Sequence, residues 1–271
     1  MRGITLCEVN RIRIKSDKQR FSASSLQSRP GTLVHTSVAR RPFRRSFAKS
    51  AIPLIQQNPR VTRISQSYST ITTMPSTDTP FLVRFFDPEI HEQDHYSRTL
   101  GDILSWPDED LEFSHNYIQF VFPLPESSDF NSRAPIVTKE VREAFLADPR
   151  LQNELRQVYV RILHFYGLQL EQNGEIGKAA DFATASRAWR RRFDHNHLRI
   201  TRILRSLRVL GLQREAEQFY TALLEHGEGG EVGTRTKMYW NRAVGRPLHL
   251  PPDHDDEDAV GIAWLKGVEN Q

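Results

Sequence analysis

The tightest constraint on the fold is residues 195–210, a segment with two faces at helical period. Advancing about 100° per residue from Arg199 at zero puts Leu210, Ile203, Leu207, Ile200 and Leu204 between about 20° and 140°. Arg199, Arg202, Arg205 and Arg208 spread over the opposite half. Such a helix must bury its apolar arc against other elements, and a second stripe supplies a partner. It begins after Pro149, where Leu151, Leu155, Val158, Tyr159, Ile162, Phe165 and Tyr166 recur one, three or four residues apart. Asp148 as N-cap and Pro149 at the first helical position start this helix, and Asn173-Gly174 is expected to end it.

The neighbouring segments have the same character. Thr138 caps residues 139–146, with Val141, Phe145 and Leu146 inward; Asp194 caps the arginine-bearing segment, and Gly211 ends it. Residues 213–224 turn Ala216, Phe219, Tyr220 and Leu223 inward, and residues 234–244 turn Met238, Tyr239 and Ala243 inward. Residues 96–106 and 110–122 read as two shorter helices, followed by a proline- and serine-rich loop to Pro135. No segment has the pattern of a strand pair, and no internal repeat is visible. The expectation is an all-α, single multi-helix bundle-like domain over residues 81–244.

Charge divides the chain at Met74. Residues 1–74 hold 14 Lys and Arg against only Glu8 and Asp17, whereas residues 75–271 hold 23 basic and 31 acidic residues. The whole-chain charge therefore says nothing about nucleic-acid binding by the folded part. The leader is rich in Arg, Ser and Thr, the composition of a mitochondrial transit peptide, and residues 63–70 resemble a presequence cleavage region. The other readings are a disordered basic tail, a nuclear import patch at residues 40–45, or initiation at Met74. Residues 246–271, with Pro247, Pro251, Pro252 and the run from Asp253 to Asp258, read as an acidic tail that Trp264 docks back. No apolar run approaches the ~18 residues that span a bilayer, which leaves at most peripheral membrane association. Cys7, in the leader, is the sole cysteine, so the domain has no disulfide, no thiolate metal site and no cysteine nucleophile.

Chemistry-bearing patterns are few. His91-Glu-Gln-Asp-His95 matches the zinc-protease helix, with Glu109 or Glu112 as third ligand, but Asp94 and Pro88 count against it and a solvated helix start is preferred. Asp194-His195-Asn196-His197 offers two alternate histidines to a metal, but capping by Asp194 and hydrogen bonding by Asn196 account for these residues without one. Residues 187–214 carry nine Arg and one acid, while residues 85–131 carry eleven acids and one Arg. Either the two segments face one another or both are solvated faces, or else the arginines form an anion site for phosphate, nucleic acid or a peptide carboxylate, with Trp189 and Phe193 as stacking surfaces. The glycines at 174, 177, 227, 229, 230 and 233 connect helices without a nucleotide-cradling pattern, and no serine sits in a nucleophile elbow. No cofactor and no enzymatic activity are expected.

Three blocks then carry a resemblance: His115-Asn-Tyr-Ile-Gln-Phe-Val-Phe-Pro-Leu-Pro-Glu126, Leu163-His-Phe-Tyr-Gly167, and His195-Asn-His-Leu-Arg-Ile-Thr-Arg-Ile-Leu-Arg-Ser-Leu-Arg-Val-Leu-Gly211. In this order they resemble the conserved region of the opioid growth factor receptor family. That resemblance implies a soluble, non-enzymatic receptor for a Met-enkephalin peptide, acting at the nuclear envelope and nucleus to restrain cell growth. The chain departs from the family's animal members in its basic leader and in lacking their long repeat-bearing tail. Location is then the nucleus by resemblance, the mitochondrion if the leader is a transit peptide, or the cytoplasm or nucleus if synthesis starts at Met74. The candidate ligand-binding residues are Arg199, Arg202, Arg205, Arg208, His195, Asn196, Tyr117 and Gln119, around a groove between the arginine helix and residues 117–125. The alternative partner is a nucleic acid held by the same arginines.

Overall fold

The computed structural model describes residues 78–128, 131–256 and 258–268, so the expectations for the leader lie outside the described residues. The fold is all-α. Four short helices come first: α1 (Phe81–Phe86), α2 (Leu100–Leu104), α3 (Asp108–Phe113) and α4 (Ile118–Val121). The long pair α5 (Lys139–Ala147) and α6 (Pro149–Phe165) follows, then strands β1 (Leu168–Leu170) and β2 (Ile176–Lys178) and the short helices α7 (Phe182–Ala185) and α8 (Arg187–Arg190). The chain closes with α9 (Asn196–Val209), α10 (Gln213–His226), α11 (Thr234–Gly245) and a 3-10 turn at Ala263–Leu265.

The caps fall where the side chains dictate. The Thr138 hydroxyl accepts from the Val141 amide at 3.3 Å, and Asp148 accepts from the Arg150 amide at 2.9 Å with Pro149 leading α6. At the end of α9 the Gly211 amide donates to Arg208 O at 3.1 Å and the Leu212 amide to Leu207 O at 2.7 Å. These two bonds form the Schellman pattern, which places Gly211 in the left-handed region at φ +90°.

Several boundaries differ from expectation. Helix α6 stops at Tyr166, because Gly167 takes φ +74° and donates to His164 O. Asn173-Gly174 is instead the turn of an antiparallel hairpin that pairs Leu168 with Lys178 and Leu170 with Ile176, so a strand pair exists after all. Asn173 Oδ1 accepts from the Glu175 amide at 2.9 Å and Gly174 has φ +83°, the local chemistry of such a turn. Residues 96–106 yield only α2, because Asp94 gathers the amides of Tyr96 and Arg98 and the chain turns before Thr99 and Asp102 close a capping box. The segment 110–122 splits into α3 and α4 at an extended Ser114. Leu146 is exposed rather than inward, while Trp240, passed over in the sequence, is fully buried.

Helix α9 runs through one continuous core. Ile200, Ile203, Leu204 and Leu207 are buried, each contributing roughly 1.5–3 kcal/mol by removal from water. Two buried tryptophans bind the helix start: Trp240 Nε1 donates to His197 O at 3.1 Å, and His197 Nε2 lies 2.8 Å from Trp189 O. The stretch after α11 returns to this core, with Leu248, Leu250 and Leu265 buried and Trp264 half-buried against them. Among the described residues no helix is long and apolar enough to cross a membrane.

Candidate ligand-binding region

The four arginines of α9 occupy the half of the helix opposite its apolar arc, yet that half is not a solvated face. Arg199, Arg205 and Arg208 are buried and Arg202 is half-buried. Each guanidinium is aimed at main-chain carbonyls, those of helix ends for Arg199, Arg202 and Arg208 and those of the chain after α11 for Arg205. Arg199 donates to Leu111 O at 2.9 Å, Glu112 O at 3.2 Å and Ser114 O at 2.8 Å, gathering the end of α3. Arg202 donates to Phe122 O, just past α4, at 3.1 Å. Arg205 donates to Leu248 O at 3.0 Å and Leu250 O at 3.2 Å and pairs with the Glu126 carboxylate. Arg208 donates to Ala243 O and Arg246 O, both at 2.9 Å, at the end of α11. Five fixed donors on a planar fork make this possible, and cations at helix C-termini also meet a favourable dipole.

The environment leaves a mark on the charges. Burial pulls the Arg202 and Arg208 guanidiniums down to about 10, with the Arg205 charge adding to the effect at Arg208. Both remain charged at neutral pH. The expectation that the arginine and acidic segments face one another therefore holds in position and changes in kind. Arg199 lies 4.0 Å from Glu112 and Arg205 pairs with Glu126, but carbonyls take most of the bonds.

The other candidates sit in the same interior. Tyr117 is buried, its hydroxyl pushed up to about 12 by burial, and the Arg199 guanidinium lies 5.6 Å from its ring centroid. Gln119 is buried beside the carbonyls of His115 and Asn116. Asn196 is buried and fully used: it accepts from Tyr166 and Arg199 and donates to Glu112, Asp194 and Ala188 O. The expected open groove between the arginine helix and residues 117–125 is instead a packed contact, closed further by the Ser206 hydroxyl on Pro123 O at 2.8 Å.

His195 and Arg202 are the two of the eight that are only half-buried, and His195 borders a carboxylate pair. Its side chain is 34% exposed, with Nε2 3.4 Å from Glu112 Oε1 and Nδ1 3.4 Å from Asp194 Oδ1. Asp194 also accepts from the Asn196 amide at 2.9 Å, one residue ahead of the N-cap position, which His195 takes rather than the Asp194 read from sequence. Burial by itself raises the Glu112 carboxyl, but the contacts with His195 and Asn196 and the Arg199 charge outweigh it and hold the group down at about 2. The His115 ring meets His195 edge-on at 5.5 Å between centroids. Sequence reasoning named Glu112 only as a spare zinc ligand for His91 and His95, and missed that the α3–α9 crossing brings it to His195. Phe113, beside Glu112, is 76% exposed, and Phe193, beside Asp194, is 66% exposed.

The zinc-protease expectation fails on geometry. Residues 91–95 lie outside any helix and His91 has φ +52°, so the two histidines do not share a helical turn. His95 stacks on Phe81 at 6.0 Å, Glu92 pairs with Arg84 at 3.3 Å, and Asp94 is buried in an ion pair with Arg98 at 2.6 Å. Glu92, Asp94 and His95 thus each have a structural occupation of their own.

Comparison with known proteins places this architecture. The opioid growth factor receptor (OGFr) conserved region matches residues 76–228. The human opioid growth factor receptor is 40% identical over 121 residues, 42% of this chain and 17% of that protein. The rat receptor is 35% identical over 156 residues, covering 56% and 26%. The mouse opioid growth factor receptor-like protein 1 is 35% identical over 112 residues, covering 39% and 22%. The chain thus spans about a sixth to a quarter of the length of these curated relatives. No solved structure matches. With the conserved region spanning more than half of its 271 residues, and the three resembling blocks packed together around α9, the chain belongs to the opioid growth factor receptor family.

Proposed function

We propose that this protein is a non-enzymatic binding domain for a short peptide of the opioid growth factor type, with a growth-regulating role. The carrying observation is that seven of the eight candidate residues make their contacts inside the fold while a surface of exposed aromatic and basic groups borders the eighth, His195. Arg191 and Arg192 are exposed, and Phe113 and Phe193 stand out from the core on the two elements that meet at the Glu112–His195 contact. Forked guanidiniums suit a peptide carboxylate, and exposed rings suit peptide side chains. Titrating the full chain with Met-enkephalin in a calorimeter is expected to give saturable binding. A Phe113→Ala/Phe193→Ala variant with an unchanged helical spectrum is expected to lose at least about tenfold in affinity. Absence of binding by the unaltered chain would reject the reading.

A second reading rests on the same exposed arginines, to which Arg187 adds. Phosphates would be held by Arg187, Arg191 and Arg192 and a base stacked on Phe193. Single-stranded RNA binding whose logarithm falls steeply with the logarithm of salt concentration would favour it over peptide binding.

A further inference from the structure

We propose that Glu112, Asp194 and His195 form a binding site for a divalent transition-metal ion of the zinc type, at the crossing of α3 with the start of α9.

One potential ligand atom from each of the three residues lies within 4.8 Å of the others, the only such grouping of three His, Cys, Asp or Glu side chains among the described residues. The distance between His195 Nε2 and Glu112 Oε1 is 3.4 Å. Zinc bonds to imidazole nitrogen and carboxylate oxygen are ~2.0–2.2 Å, so neighbouring corners of its tetrahedron are ~3.4 Å apart. That pair is already at coordination spacing. The longest pair must close by about an ångström or so, within reach of the Asp194 side-chain torsions.

A second observation points the same way. His195 Nε2 is shielded from solvent, and its contact with the Glu112 carboxylate at 3.4 Å is an ion pair outside good hydrogen-bond geometry. A buried imidazole nitrogen in that condition is either costly or waiting for a partner that shares the carboxylate. The outer groups include one that a metal site uses: the Asn196 amide donates to Glu112 Oε2 and to Asp194 Oδ1, both at 3.1 Å, and so ties the two carboxylates to one side chain. Charge also permits it. Two carboxylates against the single Arg199 guanidinium, 4.0 Å from Glu112 Oε2, leave a formal charge of one negative for a cation to neutralise. Mixed nitrogen and oxygen donors favour zinc, cobalt or nickel over calcium or magnesium. A zinc ion held by these three residues would take a water or an incoming ligand atom as its fourth ligand. This site is unrelated to the His91–His95 motif, which the fold takes apart.

The test uses the full chain, stripped of metal by chelation and titrated with Co²⁺ as a spectroscopic stand-in. The expected result is one equivalent of Co²⁺ with visible bands of low-symmetry four- or five-coordination, displaced by one equivalent of Zn²⁺. Glu112→Gln, which keeps the size of the side chain and the Asn196 neighbourhood, and His195→Ala are each expected to weaken binding by roughly 100-fold. A His91→Ala/His95→Ala variant should bind like the unaltered chain. No Co²⁺ or Zn²⁺ binding by the unaltered chain, or binding that Glu112→Gln leaves unchanged, would overturn the site. Should His195→Ala fail to fold, Glu112→Gln and the unaltered chain still decide the matter.

Discussion

Helices α6 and α9 look alike in sequence, each with an apolar stripe and a polar remainder, and the fold treats their polar halves in opposite ways. On α6 the polar half meets water: Asn153 and Gln157 are exposed, and Arg156 pairs with Glu215 at the edge. On α9 it meets the interior, and Arg205 is only 2% exposed. The lesson is that helical periodicity identifies the apolar arc reliably but leaves the fate of the polar arc open. That fate depends on whether acceptors exist to receive it. Around α9 they do, because the ends of α3, α4 and α11 and the returning chain all aim carbonyls at it.

The contrast can be broken most forcefully at Arg205. Replacing it with Ala leaves the Glu126 carboxylate and two buried carbonyls without their donor, and is expected to cost about 3–5 kcal/mol in urea unfolding. An effect below 1 kcal/mol would mean that this interior is wetter than drawn. Next comes Gly211→Ala, where an added Cβ would lie 2.5 Å from Leu146 Cδ2 at φ +90°. A loss of about 1–3 kcal/mol is expected, read as a lower thermal midpoint. On α6, Asp148→Ala removes the cap bond to Arg150 and should cost about 1 kcal/mol. The smallest change belongs to the solvated face, where Asn153→Ala should stay within about 0.5 kcal/mol of the unaltered chain. If Asn153→Ala matched Arg205→Ala, the two helices would not differ as described.

The same comparison explains which parts were legible beforehand. Thr138, Asp148 and Gly211 announced their helix ends because capping is a local bargain between a side chain and its nearest amides or carbonyls. The hairpin was misread although Asn173-Gly174 is a strong turn pair, since strands of three residues carry too little alternation to compete with the helical stripe before them. The binding region was legible as a list of residues and illegible as a surface. Main-chain carbonyls leave no trace in amino-acid letters, so the partners that draw Arg199, Arg202 and Arg208 inward could not be seen. Glu112 and His195 are 83 positions apart, and only the crossing of α3 with α9 makes them neighbours.

The carbonyls that receive Arg205 come 43 and 45 residues after it in the chain. As the polypeptide leaves the ribosome in sequence order, α9 therefore emerges with Glu126 already available to Arg205 but with two of its carbonyl acceptors still to come, until residues beyond the conserved region have followed. For that interval, of a few seconds at ordinary rates of synthesis, the nascent domain carries a half-satisfied guanidinium that the finished one buries.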